Sequence, residues 1–372
     1  MGIVESESES ESESESEVMA GIYVHIPFCV SRCVYCDFFS TTQLEKRPAY
    51  VQALLKEWQQ RQDYLQGQAV KTIYFGGGTP SLLKIEDLRL ILEALPTNHA
   101  QEITLEANPG DIDEEHLNAW QAMGINRLSM GVQSFDDTML RRLGRRHTAK
   151  QAIDAVRLAQ QSGMKNLSID LIYGLPDQTL DDWKRQVATA LTLDVPHLST
   201  YCLMIEPSTP LGKEYNAGKI KEVDEDTENN MYDYICSEAQ ANGYEHYEVS
   251  NFAKPNYHSQ HNSCYWDGTW YLGLGAGAHS YNGTTRQWNE ADLEGYIKER
   301  KEEKEVLTEE DNYNEKIMLG LRTMEGIADD LVEAPAIQPW IERGLILHTG
   351  QRYIASQTGQ HILNTIIESL MK

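Results

Sequence analysis

Cys29, Cys33 and Cys36 stand within eight residues, in the order C-V-S-R-C-V-Y-C, directly after a strand-like run at 21–26. Three thiolates on one short loop suit a [4Fe–4S] cube, in which each takes one iron and the fourth iron keeps an open position. Iron–sulfur clusters normally take four cysteines, and an open coordination position marks a metal centre that binds something further. A zinc site would instead ask for four nitrogen or sulfur ligands in close pairs. The remaining thiols, Cys202, Cys236 and Cys264, stand apart from one another. A disulfide scaffold does not suit a chain of this length without a secretory signal, because cytosolic thiols stay reduced. The expected compartment is the cytoplasm.

Further polar residues fall at the ends of β-rich runs. Gly76-Gly77-Gly78-Thr79-Pro80 follows a run at 72–75, Glu106 ends one at 102–106, Gln133 follows one at 127–131, and Asp170 lies near the end of one at 166–172. A last run covers 197–203. Helical patterns at about 46–66, 84–95, 113–123, 148–162 and 180–193 separate these runs, with apolar residues at three- and four-residue spacing. Asp113 and Thr179 read as N-caps, and Gly124 and Gly163 as helix stops. Six β/α alternations imply a parallel sheet with helices outside, either doubly wound or curled into a barrel. In barrels of this kind ligands bind at the carboxyl ends of the strands. An isolated Asp or Gln after a strand is commonly a cap or turn residue, but five consecutive units presenting chemistry on one rim point to a site.

After residue 204 the pattern loosens. A helix near 224–242 and a strand at 244–250 are expected, then loops with short strands over 251–290 and a charged, solvated helix or linker over 294–305. From 307 onward the order helix, helix, hairpin, helix suggests a winged-helix fold. The expected organisation is a Glu/Ser tail over 1–18 without structure, a core over 19–240, an extension over 241–304 and a winged-helix-like domain over 305–372. Glu5 to Glu17 alternates Glu and Ser, and such a tract cannot bury apolar surface.

Composition narrows the partners. Removing the seven glutamates of the tail from a net charge of −25 leaves −18, a body that repels phosphate backbones. Residues 305–372 hold eleven Asp/Glu and five Lys/Arg, a net −6, the wrong sign for a winged helix on DNA. Nucleic acid is not the expected partner; a docking or structural role is. Hydrophobic content of 41% supplies a core. No apolar run approaches the roughly 18 residues of a spanning helix, so a soluble chain is expected.

The C-x3-C-x2-C signature resembles that of the radical S-adenosylmethionine (SAM) superfamily. Within it the chain is similar to the group of oxygen-independent coproporphyrinogen III oxidases and the related heme chaperones, from residue 20 to the C-terminus. The resemblance rests on Tyr23-Val-His-Ile-Pro-Phe-Cys29, Gly76-Gly-Gly-Thr-Pro-Ser81, Glu106-Ala-Asn-Pro109, Ser129-Met-Gly-Val-Gln-Ser-Phe135 and Asp170-Leu-Ile-Tyr-Gly-Leu-Pro176. It implies a partial (β/α)6 radical-SAM barrel with a C-terminal α+β extension, three cysteines on a [4Fe–4S] cluster, and SAM chelating the open iron. It further implies that Gly77, Gly78 and Thr79 receive the methionine end. Glu106, Gln133 and Asp170 would hold the ribose and sulfonium regions, with Arg145 near the carboxylate, Tyr35 at the adenine and Tyr23 lining the pocket. Ordinary packing also accounts for both tyrosines by residue type.

Two features separate the branches of that group. The oxidases resemble C-x3-C-x2-C-x-C, whereas this chain has Phe38 at the last position, as the chaperones do. His261-Asn-Ser-Cys-Tyr-Trp266 matches the H-N-x-x-Y-W pattern that the resemblance associates with heme binding. Imidazole and thiolate are both axial ligands of heme iron, so His261 and Cys264 are the candidates and the coordinating atom stays open. His25 is expected to pack near the cluster, and His279 to face a porphyrin cavity. The glycine-rich run 273–279 lacks the strand–turn–helix setting of a dinucleotide site. The function implied is a heme chaperone that holds heme, the cluster and SAM, and passes heme to apoproteins such as membrane-bound respiratory cytochromes. The alternative is an oxygen-independent coproporphyrinogen III oxidase, in which SAM cleavage drives decarboxylation. Residue types separate neither monomer from dimer nor SAM cleavage from SAM binding.

Overall fold

The computed structural model describes residues 19–372, so the Glu/Ser tail expected over 1–18 lies outside the described residues. Strands and helices alternate from the start: β1 (Met19–Ile26), α1 (Arg47–Arg61), β2 (Ala69–Gly77), α2 (Ile85–Ala94), β3 (Glu102–Ala107), α3 (Glu114–Ala122), β4 (Arg127–Gln133), α4 (Asp137–Leu143), α5 (Ala149–Gln161), β5 (Asn166–Tyr173), α6 (Leu180–Thr192) and β6 (His197–Cys202). β1 to β6 pair in chain order and all are parallel. Parallel neighbours need long crossovers, and the helices provide them. The N-caps read from the sequence form: Asp113 accepts from the His116 amide, and Thr179 makes a capping box with Asp182. Gly124 and Gly163 end their helices in the left-handed region, at φ +90° and +87°, where a Cβ would be penalised.

Period-two alternation sorts the strand side chains. Ile22, Val24, Ile73, Phe75, Ile103, Leu105, Leu128, Met130, Ile169 and Leu198 join one apolar core. The alternate positions are polar and bond across neighbouring strands: Tyr74 to Glu106, Ser129 to Asp170, Ser168 to His197. The barrel is thus oily under its helices and polar inside. Buried polar groups must find partners, and these find them in one another.

The chain then runs through α7 (Pro210–Asn216), α8 (Glu225–Ala241), β7 (Glu245–Glu248), β8 (Asn251–Ala253), α9 (Gln260–Asp267), β9 (Trp270–Leu274), β10 (His279–Tyr281), β11 (Thr285–Asn289), α10 (Leu293–Lys298) and β12 (Glu302–Val306). These strands extend both edges of the barrel sheet, giving twelve strands in the order β12-β11-β10-β9-β1-β2-β3-β4-β5-β6-β8-β7. β9 pairs parallel to β1, and β8 antiparallel to β6. A buried ion pair fastens the first of these flanks. Glu57 accepts from Arg61 at 2.8 Å, from the Gly275 amide at 2.9 Å, from Asn289 at 2.8 Å and from Tyr296 at 2.6 Å.

Two expectations need correction here. The loops expected over 251–290 contain the helix α9, started by Ser259, whose hydroxyl accepts from the Asn262 amide. Within the charged stretch 294–305, α10 ends at Lys298 and 302–306 is a strand, not helix or linker. β12 is exposed along its length; Glu-Glu-Lys-Glu-Val has no apolar face to advertise a strand, and charges on an edge strand discourage further pairing.

The C-terminal part comprises α11 (Glu309–Gly320), β13 (Ile327–Ala328), α12 (Ala334–Glu342), β14 (Ile346–Thr349), β15 (Arg352–Ala355), α13 (Gln357–His361) and α14 (Leu363–Leu370). A three-stranded sheet, β13-β15-β14, and its helices enclose a separate core around Ile317, Ile337 and Ile366. Among the described residues no helix is long and apolar enough to cross a membrane.

Candidate cofactor site at the barrel mouth

A cavity of about 550 Å³ opens at the carboxyl ends of β1 to β6, lined by Cys29, Cys33 and Cys36 on one side and by Glu106, Gln133 and Asp170 on the other. The cysteine loop is held at both ends. The Cys29 amide donates to Thr41 O at 2.8 Å, the Val34 amide to Leu143 O at 3.2 Å, and the Leu211 amide to Val34 O at 2.9 Å. His25 Nε2 donates to Phe39 O at 2.9 Å, which leaves Nδ1 to accept from the Tyr23 hydroxyl at 3.1 Å. Burial lowers the His25 pKa to about 4, so the ring is a neutral strut. Thr79 and Arg145 approach the thiols, Thr79 Oγ1 to Cys29 Sγ at 3.6 Å and Arg145 Nη1 to Cys33 Sγ at 3.4 Å. Burial raises the Cys29 and Cys36 thiols. Among the described residues no three Cys, His, Asp or Glu side chains converge on one ion position. Thiolates that each take a separate iron need no such convergence.

The glycines are required by space. A Cβ on Gly77, at φ +109°, would fall 2.4 Å from the His25 ring, and one on Gly78 2.7 Å from the Pro27 carbonyl carbon. Their amides are already committed: Gly77 N–H donates to Glu106 at 3.1 Å, Gly78 N–H to Ile26 O at 2.8 Å, and Thr79 N–H to Phe28 O at 2.9 Å. What this segment can offer a ligand is therefore acceptors, suited to an ammonium.

Glu106 and Asp170 are buried carboxylates in the same cavity. Glu106 is raised to about 7, first by desolvation and further by the charge of Asp170, against bonds from Tyr74 and Gly77. Asp170 is raised to about 6 by desolvation, against the Ser129 hydroxyl at 3.0 Å and the charge of Arg127. Gln133 closes β4 at a bulge with φ +69°, a conformation that non-glycine residues hold at a cost of order 1–3 kcal/mol. Arg145 also donates to Gly131 O, while its buried Nε has no partner among the described residues. Tyr35 lines the cavity and packs with Leu143, Ile172 and Leu175. Tyr23 lies deeper, stacked on Tyr74 with centroids 6.1 Å apart, and is not part of the cavity wall. Phe38 is 69% and Met204 75% exposed at the mouth.

His261 and Cys264 share α9 but no open face. His261 is 1% exposed and plugs the amino end of the barrel. Its Nδ1 pairs with Thr72 Oγ1 at 2.8 Å, its Nε2 with Tyr265 OH at 3.0 Å, and its ring stacks on Tyr74 at 5.1 Å. Desolvation, with Arg127 nearby, lowers its pKa to about 3. The Gln260 and His261 amides donate to Glu102 at 3.1 and 3.0 Å. Cys264 is half-buried, its thiol raised to about 11 by burial. It is a neutral donor to Gln260 O at 3.3 Å, not a thiolate. His279 is exposed beside Trp288, 5.8 Å between centroids. The barrel-floor residues Glu102, Arg127 and His197 were not singled out by sequence; charged residues at alternate strand positions were their signal.

Comparison with known proteins agrees with this geometry. The Radical SAM superfamily profile matches residues 23–188. The heme chaperone HemW of Lactococcus lactis is 35% identical over 94% of this chain and 96% of the relative. HemW of Bacillus subtilis is 37% identical over 83% and 85%, and that of Escherichia coli 41% over 69% of each chain. The solved coproporphyrinogen III oxidase HemN of Escherichia coli superposes with a TM-score of 0.80 over 95% of this chain and 90% of that one, at 24% identity. That likeness establishes the fold, a radical SAM barrel with extension. The superfamily's cofactors are a [4Fe–4S] cluster and SAM, and the residues fit both: three thiols on one tethered loop, an orphaned Arg145 Nε for a carboxylate, acceptors at Gly77–Thr79, and two carboxylates for a cation. With relatives at least 35% identical over 94% and 83% of its length, the chain belongs to the HemW family of heme chaperones within the radical SAM superfamily.

Proposed function

We propose that this protein binds heme, carries a [4Fe–4S] cluster and SAM in the barrel, and delivers heme to apoproteins, including membrane-bound respiratory enzymes. The observation that carries the reading is the 35% identity to a heme chaperone over 94% of the chain, C-terminal part included, together with Phe38 where the oxidases have a fourth cysteine. The cluster, when bound, supplies reducing power toward the sulfonium of SAM. Cys29, Cys33 and Cys36 would hold it, Arg145 would pair with the ligand carboxylate, and Glu106 and Asp170 would face the cation. His25 and the Gly77–Thr79 turn keep the loop and rim in register. Ligation of heme iron by His261 would require α9 to leave the barrel floor, because both ring nitrogens are engaged there.

The test is one anaerobically reconstituted preparation assayed twice. Hemin is expected to bind with a shifted Soret band, and coproporphyrinogen III with SAM and reductant is expected to yield no protoporphyrinogen. Appreciable decarboxylation without hemin binding would replace this reading with the oxidase.

A further inference from the structure

α9 has two sides. His261 and Tyr265 face the barrel, whereas Ser263 and Trp266 form part of the wall of a second cavity, about 830 Å³, between α9, β7, α11 and the turn leading into β13. We propose that this cavity is the porphyrin-binding site and that His258, which lies outside the His261–Trp266 segment, supplies an imidazole to the iron. The proposal rests on the heme-chaperone reading and places its cargo.

Size, wall and ligand agree. Small-molecule sites are clefts of roughly 300–1,000 Å³ with mostly apolar walls and a few fixed polar groups. Here Trp266, Tyr281, Leu319 and Met324 supply apolar surface, the type of lining that a flat macrocycle needs. His258 is half-exposed in the same lining, its ring stacked on Tyr247 at 4.2 Å and 12°. Its Nε2 pairs with Glu245 at 2.8 Å, and its other ring nitrogen has no partner among the described residues. A carboxylate that holds one nitrogen of an imidazole orients the ring and raises its basicity toward a metal. Tyr247 is itself fixed, its hydroxyl pairing with His197 Nε2 at 2.7 Å, so the surface behind His258 is rigid.

Charge sets the orientation. Lys316 and Arg352 lie in the lining. Lys316 makes no ion pair among the described residues, and Arg352 donates only to the backbone carbonyls of Glu325 and Gly326. Of the acidic groups in the wall, Glu315 is paired with Arg286 at 2.7 Å and Glu245 with His258, while the Asp267 carboxylate accepts from the Thr269 amide. Glu325 and Asp330 remain and oppose anions, which assigns the propionate edge to Lys316 and Arg352. In the heme-chaperone reading the cavity of about 550 Å³ at the barrel mouth is taken by the cluster and SAM, and the barrel floor is filled by His261, Arg127 and Glu102.

The experiment titrates the full chain with hemin and with metal-free protoporphyrin IX, comparing wild type, His258→Ala and Lys316→Glu. SAM binding serves as the check that each variant is folded. His258→Ala is expected to shift the Soret band and weaken hemin binding by about tenfold or more, with binding of the metal-free ring unchanged. Lys316→Glu is expected to weaken both ligands. Wild-type spectra and affinities in both folded variants would overturn this placement while leaving the heme-chaperone reading intact. Failure of the wild-type chain to bind hemin at all would overturn both.

Discussion

Glu106 and Asp170 show how single residues make the barrel responsive. Their pKa values, about 7 and about 6, mean that the ligand-free cavity holds protons near neutrality. A sulfonium or ammonium favours the ionised carboxylates, so protons leave as SAM binds and affinity rises with pH through this window. We expect SAM affinity to fall as pH drops from 8 to 6, by up to about tenfold per unit for each coupled proton. Glu106→Gln should weaken binding and flatten that dependence, read by calorimetry in buffers of different ionisation enthalpy. Stability runs the other way. The folded pKa of Glu106 stands above the ordinary 4.5, so between 4.5 and 7 the folded state holds more protons than the unfolded one. The ligand-free protein therefore loses this contribution as pH rises through that window. An affinity indifferent to pH would place the cation away from both carboxylates.

Elements explain what could be read in advance. The three cysteines, the Gly76–Pro80 turn, Glu106, Gln133 and Asp170 were legible because they sit where strands end, and period-two and period-3.6 patterns locate strand ends. α9 was hidden: Q-H-N-S-C-Y-W-D carries no aliphatic stripe, and its inward face is His261 and Tyr265. Only Ser259 before it and Gly268 after it mark its limits. The Gln133 conformation and the pairing of β9 with β1 depend on tertiary contacts and leave no local trace. Glu57 was equally silent, a helical glutamate whose partners Gly275, Asn289 and Tyr296 lie some two hundred residues away. Removing one member of a buried, hydrogen-bonded ion pair costs about 3–5 kcal/mol, against about 0–1 kcal/mol for an exposed pair. Glu57→Ala should therefore lower the urea midpoint sharply, whereas Lys150→Ala, at a surface pair with Asp154, should leave it nearly unchanged. Equal midpoints would mean that the β9–β11 flank is held by apolar packing alone.

At the scale of the molecule, two cores are joined by a narrow seam. The barrel core and the core around Ile317 do not merge; they meet where the Val249 amide donates to Arg322 O at 2.9 Å and the Met324 amide to Tyr247 O at 3.1 Å. Beside that seam Arg286 pairs with Glu315 at 2.7 Å, while Gln357 and His361 hold Asp233 at 2.8 and 2.9 Å. The same seam forms the wall of the 830 Å³ cavity, so loosening it should alter the cavity before it alters the barrel. A short docked interface opens locally at a lower free energy than either core. Glu315→Ala removes the partner of Arg286 without touching the barrel interior. Amide hydrogen exchange at Val249 and Met324 should then accelerate, while amides of β1 to β6 and SAM affinity stay as in the wild type. Hemin should dissociate faster if the cavity holds it. Acceleration spread evenly through the barrel strands would show that the two cores unfold as one unit, and the cavity would then owe its shape to the whole fold and not to its seam.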